Sequence, residues 1–122
     1  SQAPAAIADL EVRLLGEGRA EVRFTAPADP GGKVRRYQVK CAELPIAPYD
    51  QWDYARDLGT RRNWWKAVNC RGEPVPAAPG TRERFVVTAL PDAKPLYFAV
   101  CSFDDSDNRS PMSNVALGRS AP

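Results

Sequence analysis

Three cysteines, Cys41, Cys70 and Cys101, are the side chains of this chain most able to do covalent chemistry. The chain has no histidine, so it lacks the commonest general base, the usual partner of a catalytic nucleophile and the commonest nitrogen ligand for metals. The cysteines form no C-x-x-C pair, so neither a zinc ribbon nor a thioredoxin-like site is indicated. We therefore predict a protein that is not an enzyme and has no catalytic residue, metal or cofactor.

Side chains suited to binding are concentrated just before the second cysteine. Flat aromatic faces stack on sugars, peptides or bases, and arginines pair with anionic groups. The candidate binding residues are Trp52, Tyr54, Arg61, Arg62, Trp64 and Trp65. Neighbours in an extended segment point to opposite faces, so we expect one of the two adjacent tryptophans to anchor the segment and the other to lie exposed. Anchoring is favoured over ligand contact, because a long loop must bury something to stay ordered.

Composition limits the partners and the compartment. A net charge of +2 is too small to indicate nucleic acid, which needs a concentrated basic face. No apolar run approaches the roughly 20 residues that span a bilayer, so membrane insertion is not predicted. An odd number of cysteines favours one disulfide and one remaining thiol, which indicates an oxidising compartment. The expected location is therefore secreted or cell-surface, in the periplasm or outside the cell.

Short strands must position these residues, because twelve prolines and eight glycines are scattered between brief apolar runs. In "AEVRFTAP" the apolar positions alternate, and in "VRRYQVKCA" they alternate again, which predicts strands with one buried face. The inward residues are Ala20, Val22 and Phe24 in the first run, and Tyr37, Val39 and Cys41 in the second. The segment 43–80 is less regular, with a helical turn expected near residues 49–58 and a short strand at "NWWKAVNC".

The final third gives the most specific pattern. It reads "RFVVTALPDAKPLYFAVCSFDDSDNRSPMSNVALG", which is a strand, a leucine-proline turn, an aromatic-rich strand, an aspartate-to-asparagine turn and then Ser-Pro-x-Ser-Asn-Val. Upstream, "IADLEV", "VRFTAPADPGG" and "RRYQVKCAE" supply three earlier strands. In this order the chain resembles, over nearly its whole length, a fibronectin type III domain of the kind found in bacterial secreted multidomain proteins.

The resemblance implies an all-β fold: a seven-stranded antiparallel β-sandwich of the fibronectin type III or immunoglobulin-like class. The domain would cover residues 6–118, between linkers at 1–5 and 119–122. Its loop between the third and fifth strands, residues 43–80, is longer than the family usually carries. Long loops in compact domains tend to be functional.

The resemblance also places the cysteines. The position of the family's corner tyrosine is taken by Leu96, and with Leu96, Phe98 and Val100 inward, Cys101 points outward as a free thiol or an intermolecular bridge. Cys41 ends the third strand and Cys70 lies in the link beside it, so a disulfide between them would close the long loop and stabilise the fold by roughly 3–4 kcal/mol. A bridge between Cys70 and Cys101, or three free thiols, are the alternatives.

The resulting functional hypothesis is a non-catalytic module of an exported multidomain protein, acting as a spacer or as a binding module for protein or carbohydrate. Its partners would be the other domains of the parent chain and an extracellular protein or polysaccharide. One alternative is an accessory domain of a secreted hydrolase, for example a polysaccharide-degrading one, whose catalytic domain lies elsewhere in the chain. Another is an assembly or adhesion module linked through Cys101.

Overall fold

The computed structural model describes residues 2–30, 33–53 and 59–120. Its strands are β1 (Glu11–Gly16), β2 (Arg19–Thr25), β3 (Val34–Ala42), β4 (Ile46–Ala47), β5 (Arg62–Asn63), β6 (Val68–Asn69), β7 (Arg82–Val87), β8 (Tyr97–Asp104), β9 (Ala116–Leu117) and β10 (Arg119–Ser120), with a 3₁₀ turn at Trp64–Lys66. In the order β10-β1-β2-β7 the strands form one sheet, and in the order β6-β3-β8-β9 they form the other. The predicted all-β architecture is confirmed.

The two sheets pack face to face, because their inward side chains belong to one hydrophobic core. Two pairings depart from the predicted antiparallel pattern: β1 runs parallel to β10, and β4 runs parallel to β5. The β4–β5 pair lies within the long loop 43–80 and belongs to neither large sheet. Part of that loop is therefore held by its own ladder.

The alternation read from β2 and β3 is confirmed. In β2, Ala20, Val22 and Phe24 are fully buried, and in β3, Tyr37 and Val39 are buried in the same core. The ring of Phe24 meets the ring of Tyr37 edge to face, with the centroids 4.8 Å apart. This geometry suits the ring quadrupoles and joins the two sheets within the core.

Residues on both sides of the predicted domain, 6–118, also contact the sandwich. Pro4 is fully buried, and the N–H of Ala5 donates to the carbonyl of Ala28 at 2.9 Å. At the other end, β10 pairs with β1. The segments predicted as linkers thus contribute residues to the folded unit. The helical turn expected near 49–58 falls partly on residues 54–58, outside the described residues.

Side chains of the segment after β8 bind backbone groups of β8 and of the residue just before β1. The Ser113 hydroxyl accepts from the N–H of Val100 at 2.9 Å, while the Ser113 N–H donates to the Val100 carbonyl at 3.0 Å. The Asn114 side chain accepts from the N–H of Leu10 at 2.9 Å and donates to its carbonyl at 3.1 Å. Side chains of the Ser-Pro-x-Ser-Asn run thereby satisfy backbone groups that short strands leave without a ladder partner.

The turn after β8 is organised by the carboxylate of Asp104. It accepts from the backbone N–H groups of Ser106 and Asn108 and from the Asn108 side-chain amide, each at 2.9 Å. The hydrogen bond from the Asn108 side chain is the main reason that the pKa of Asp104 lies below its ordinary value. Since the folded pKa is below the unfolded one, this carboxylate stabilises the fold above about pH 4 and loses that effect as the pH falls through the folded pKa.

We expect Asp104→Asn to lower the stability at neutral pH, and the difference from the parent protein to shrink as the pH is lowered below about 4. Urea unfolding at a series of pH values measures this difference. The matched control is Asp105→Asn, which removes only an exposed ion pair with Arg35 and is expected to change stability by less than about 1 kcal/mol. A gap between parent and Asp104→Asn that stays constant from neutral to acid pH contradicts the assignment.

Candidate functional site

The long loop covers the face of the β3–β8 sheet that points away from the sandwich core. That face carries Ala99, Cys101 and Phe103 on β8, all buried. They form a second hydrophobic cluster with Ala42, Ile46, Trp64 and Ala67, which we call the outer cluster. Strand β8 is therefore buried on both faces, and the long loop is packed against the sandwich by its own apolar contacts.

Cys101 was predicted to point outward as a free thiol or an intermolecular bridge, and the outer cluster covers it. The predicted phase of β8 is right, since Leu96, Phe98 and Val100 lie in the sandwich core. Cys101 does point away from that core, yet it is 0% exposed because the long loop covers it. A guanidinium nitrogen of Arg109 also donates to its sulfur at 3.4 Å. Cys101 is a free thiol, but it is not placed to form an intermolecular bridge in the folded protein.

The adjacent tryptophans divide as predicted: Trp64 is 0% exposed and Trp65 is 43% exposed. The cause is a 3₁₀ turn, which separates successive side chains by about a third of a revolution, rather than the expected strand. Asn63 caps this turn, because its side-chain oxygen accepts from the Trp65 N–H at 3.1 Å. Its amide group also donates to the Asp50 carbonyl at 2.8 Å, so one buried side chain ties the two halves of the loop together.

Two cations that the sequence analysis missed brace the tryptophans. Lys40 is only 5% exposed, its ammonium group donates to the Trp64 carbonyl at 2.9 Å, and its nitrogen lies 4.7 Å from the Trp64 ring centroid. The guanidinium carbon of Arg109 lies 5.0 Å from the Trp65 ring centroid. Burial is the main cause that lowers the pKa of Lys40, the nearby Arg109 adds to it, and Cys101 partly opposes it. Both cations sit within the range of cation–π attraction.

No signal in the sequence singles out these two cations. Lys40 alternates with Val39 and Cys41, so the period of two assigns it to the wet face of a one-sided sheet. It is buried because the long loop folds over that face, and this is a tertiary event. Arg109 lies in the turn after β8, more than 40 positions from the tryptophans along the chain.

Two exposed indoles and nearby cations form part of the open surface of the loop. Trp52 is 70% exposed, and its backbone N–H donates to the Asp50 side chain at 2.8 Å. Asp50 is also the residue whose carbonyl Asn63 binds, so Trp52 and Trp65 extend from the same hydrogen-bonded unit. Of the predicted arginines, Arg61 is exposed and Arg62 is half-buried in β5. Tyr54 lies outside the described residues.

The other two cysteines meet on the sandwich side of β3. Strand β6 pairs with β3 so that Cys41 lies opposite Val68, and the Cys70 N–H donates to the Val39 carbonyl at 2.9 Å. Cys41 and Cys70 are both buried in the sandwich core and are free thiols. The Cys70 thiol donates a hydrogen bond to Cys41, which lowers the pKa of Cys41 and, with burial, raises that of Cys70.

Comparison with known proteins does not add a candidate site. No family model matches the chain, and no curated protein is significantly similar to it. Among the residues described by the structure, no group of three or more cysteine, aspartate or glutamate side chains is placed to share a metal ion. The same residues contain no helix long and apolar enough to cross a membrane. The two indoles and their cationic surroundings thus remain the candidate site.

Proposed function

We propose that this chain is a non-catalytic, fibronectin type III-like module of an exported multidomain protein, and that it binds an extracellular polysaccharide or protein through Trp52 and Trp65. The observation that carries the binding proposal is the difference in burial between the adjacent tryptophans. Trp64 is buried and anchors the loop, and Trp65 is therefore held at the surface. A rigid, half-exposed indole offers a ligand apolar area at low entropic cost.

The sheet order supports the fold part of this proposal. Two four-stranded sheets, β10-β1-β2-β7 and β6-β3-β8-β9, pack against each other, and two packed sheets are the layers of a sandwich of this class. The Ser-Pro-x-Ser-Asn run that carries the resemblance has a structural role. Its Ser113 binds the backbone of Val100 in β8, and its Asn114 binds the backbone of Leu10 just before β1. The absence of histidine from the chain favours binding over catalysis.

The charge around Trp65 favours a ligand with anionic groups. Arg61 and Lys66 flank the tryptophan pair along the chain and are both exposed, and Arg109 lies against the Trp65 ring. The same loop carries five acidic residues, Glu43, Asp50, Asp53, Asp57 and Glu73. The side chain of Asp50 accepts from the backbone N–H of Trp52, and that of Glu73 accepts from the backbone N–H of Val39. Extracellular polysaccharides with carboxylate or sulfate groups combine flat sugar faces for the indoles with negative charge for these cations.

We expect Trp65→Ala to weaken binding by about tenfold or more, because a tryptophan at the centre of a contact surface contributes about 2 kcal/mol or more. Trp52→Ala is expected to act in the same direction. The measurement is binding of the parent protein and its variants to an array of neutral and anionic polysaccharides, with extracellular proteins captured by pull-down as a second arm. Ligands found in this way are confirmed by titration.

The matched control is Val86→Ala. Val86 is 41% exposed, close to the 43% of Trp65, but it lies on β7 in the opposite sheet. A ligand whose affinity falls equally for Trp65→Ala and Val86→Ala is not bound at the indoles. A protein that captures nothing from either arm acts as a spacer, and the binding proposal is then rejected.

A further inference from the structure

Cys41 and Cys70 are buried groups that the proposed function does not use, and their placement has a chemical meaning. Strand β6 contributes a ladder of two residues to the edge of its sheet, and Cys70 follows it directly. Cys41 and Cys70 are diagonal neighbours across this pairing, with both side chains in the sandwich core. Their thiols are in hydrogen-bond contact. Diagonal neighbours on one face of adjacent strands lie farther apart than the directly opposite pairs, so a disulfide between these cysteines requires a small shift of the short edge strand β6.

Both thiols are buried, with Cys41 0% and Cys70 4% exposed, so a reagent reaches either one only when the structure opens locally. A cleft of about 260 Å³ borders one of the two cysteines: its lining includes Cys41, Glu43, Arg62, Lys66, Val68 and Pro91, and does not include Cys70. A reagent held in this cleft therefore lies next to Cys41 when the edge of the sheet opens. Two cationic side chains, Arg62 and Lys66, and one carboxylate, Glu43, line the cleft, and this balance favours an anionic reagent.

We propose that Cys41 and Cys70 form a redox-active pair, in which Cys41 is the attacking thiol and Cys70 the resolving thiol, and that a small anionic disulfide such as oxidised glutathione converts them into an internal disulfide. Cys101 takes no part, since it lies on the other face of β8 in the outer cluster. This inference is independent of any ligand at the indoles.

The reaction balances as two thiol–disulfide exchanges. Cys41, as thiolate after its proton passes to solvent, attacks one sulfur of the small disulfide, forms a mixed disulfide and displaces one small thiolate. Cys70 then loses its proton, and its sulfur attacks Cys41, breaks the mixed disulfide and releases the second small thiolate. The protein loses two protons and two electrons, and the small disulfide is reduced by the two electrons and becomes two thiols when its thiolates take up two protons.

The order of the two exchange steps agrees with the direction of the hydrogen bond between the thiols. The Cys70 S–H donates to Cys41, which favours the thiolate at Cys41 and holds the proton at Cys70. Access to the buried sulfurs requires only the edge strand β6 to open, and a two-residue ladder is among the parts of a fold that open at low cost. Closure of the bond then ties that edge to β3 and closes the segment 42–69 into a covalent loop.

The test equilibrates the whole protein with mixtures of oxidised and reduced glutathione, alkylates the remaining thiols in denaturant and maps the linked peptides by mass spectrometry. We expect two of the three thiols to be lost together, a Cys41–Cys70 cross-link, and an alkylated Cys101. The midpoint of thermal unfolding is expected to rise by on the order of 10 °C in the oxidised form. Three thiols that persist at every ratio, or a cross-link that contains Cys101, overturn the proposal.

The order of attack is tested with two single variants. Cys70→Ser keeps a hydroxyl that donates to Cys41, and we expect it to trap one glutathione as a mixed disulfide at Cys41. Cys41→Ser is expected to acquire the adduct at Cys70 about tenfold more slowly, because Cys70 does not border the cleft. Equal rates for the two variants, each with unchanged circular dichroism, overturn the assignment of roles.

Discussion

Trp64→Ala is expected to lower the free energy of unfolding by about 3–5 kcal/mol, the usual range for removing a buried tryptophan. Trp64 is 0% exposed and forms the centre of the outer cluster. The substitution opens a cavity between the long loop and β8, and it also removes the ring that faces the Lys40 ammonium at 4.7 Å. A lysine that is only 5% exposed then loses part of the interaction that offsets the cost of its burial.

Urea unfolding followed by circular dichroism measures this loss, and two matched variants define its origin. Trp65→Ala removes the same side chain from the next position, where it is 43% exposed, and is expected to cost about 1 kcal/mol or less. Trp64→Phe keeps an aromatic ring and removes an indole N–H for which the described residues provide no acceptor, so we expect a loss well below that of Trp64→Ala.

Thiol chemistry gives an independent readout of the same substitution. Cys101 is buried beneath the loop in the same cluster as Trp64. If Trp64 anchors the loop, Trp64→Ala exposes Cys101 to a thiol reagent under native conditions, while Trp65→Ala leaves it protected. Equal stability losses for the two alanine variants, together with an unreactive Cys101 in both, contradict the anchoring role.

The sequence predicted the sandwich core because the information needed is local. A strand with one buried face repeats with period two, and β3 follows that period through Tyr37, Val39 and Cys41. The phase of β8 was predicted from the resemblance for the same reason, since one inward residue fixes the whole strand. The Ser-Pro-x-Ser-Asn run was recognisable as a pattern, although its hydrogen bonds to Val100 and Leu10 emerge only from the fold.

Only part of the candidate site could be predicted, because the burial of Lys40 and Cys101 depends on the loop that covers the outer face of the β3–β8 sheet. The tryptophans were identified, as was the division between a buried and an exposed indole. Cys101 was predicted to point outward, and the period of two places Lys40 on the same outer face, which is a wet face only until a loop packs on it. Alternation along a strand reports which side chains share a face, but it does not report whether a distant segment covers that face.

Gly72→Ala is expected to lower the free energy of unfolding by about 3 kcal/mol, because two penalties coincide there. Gly72 has a φ of +112°, and a Cβ at this position lies 2.7 Å from the backbone oxygen of Val86. The chain crosses between the two sheets at this residue. Just before Gly72, the Cys70 N–H donates to the Val39 carbonyl at 2.9 Å and the Arg71 carbonyl accepts from the Thr88 N–H at 2.8 Å. Just after it, the Glu73 side chain accepts from the Val39 N–H at 2.9 Å. A segment held on both sides of Gly72 has little freedom to relieve the overlap.

Gly80→Ala separates the two penalties. Gly80 has a φ of +87°, but a Cβ there has no atom within 4 Å, so alanine carries only the conformational cost of about 1–2 kcal/mol. The difference between the two variants in urea unfolding therefore measures the overlap with Val86. If both variants lose the same free energy of unfolding, the crossing segment relieves the overlap with Val86 without an energetic penalty. It is then not the rigid connection that its hydrogen bonds indicate. A larger loss for Gly72→Ala shows that the path from Cys70 to β7 is fixed by the backbone contact at Val86, which also holds Cys70 in register with Cys41.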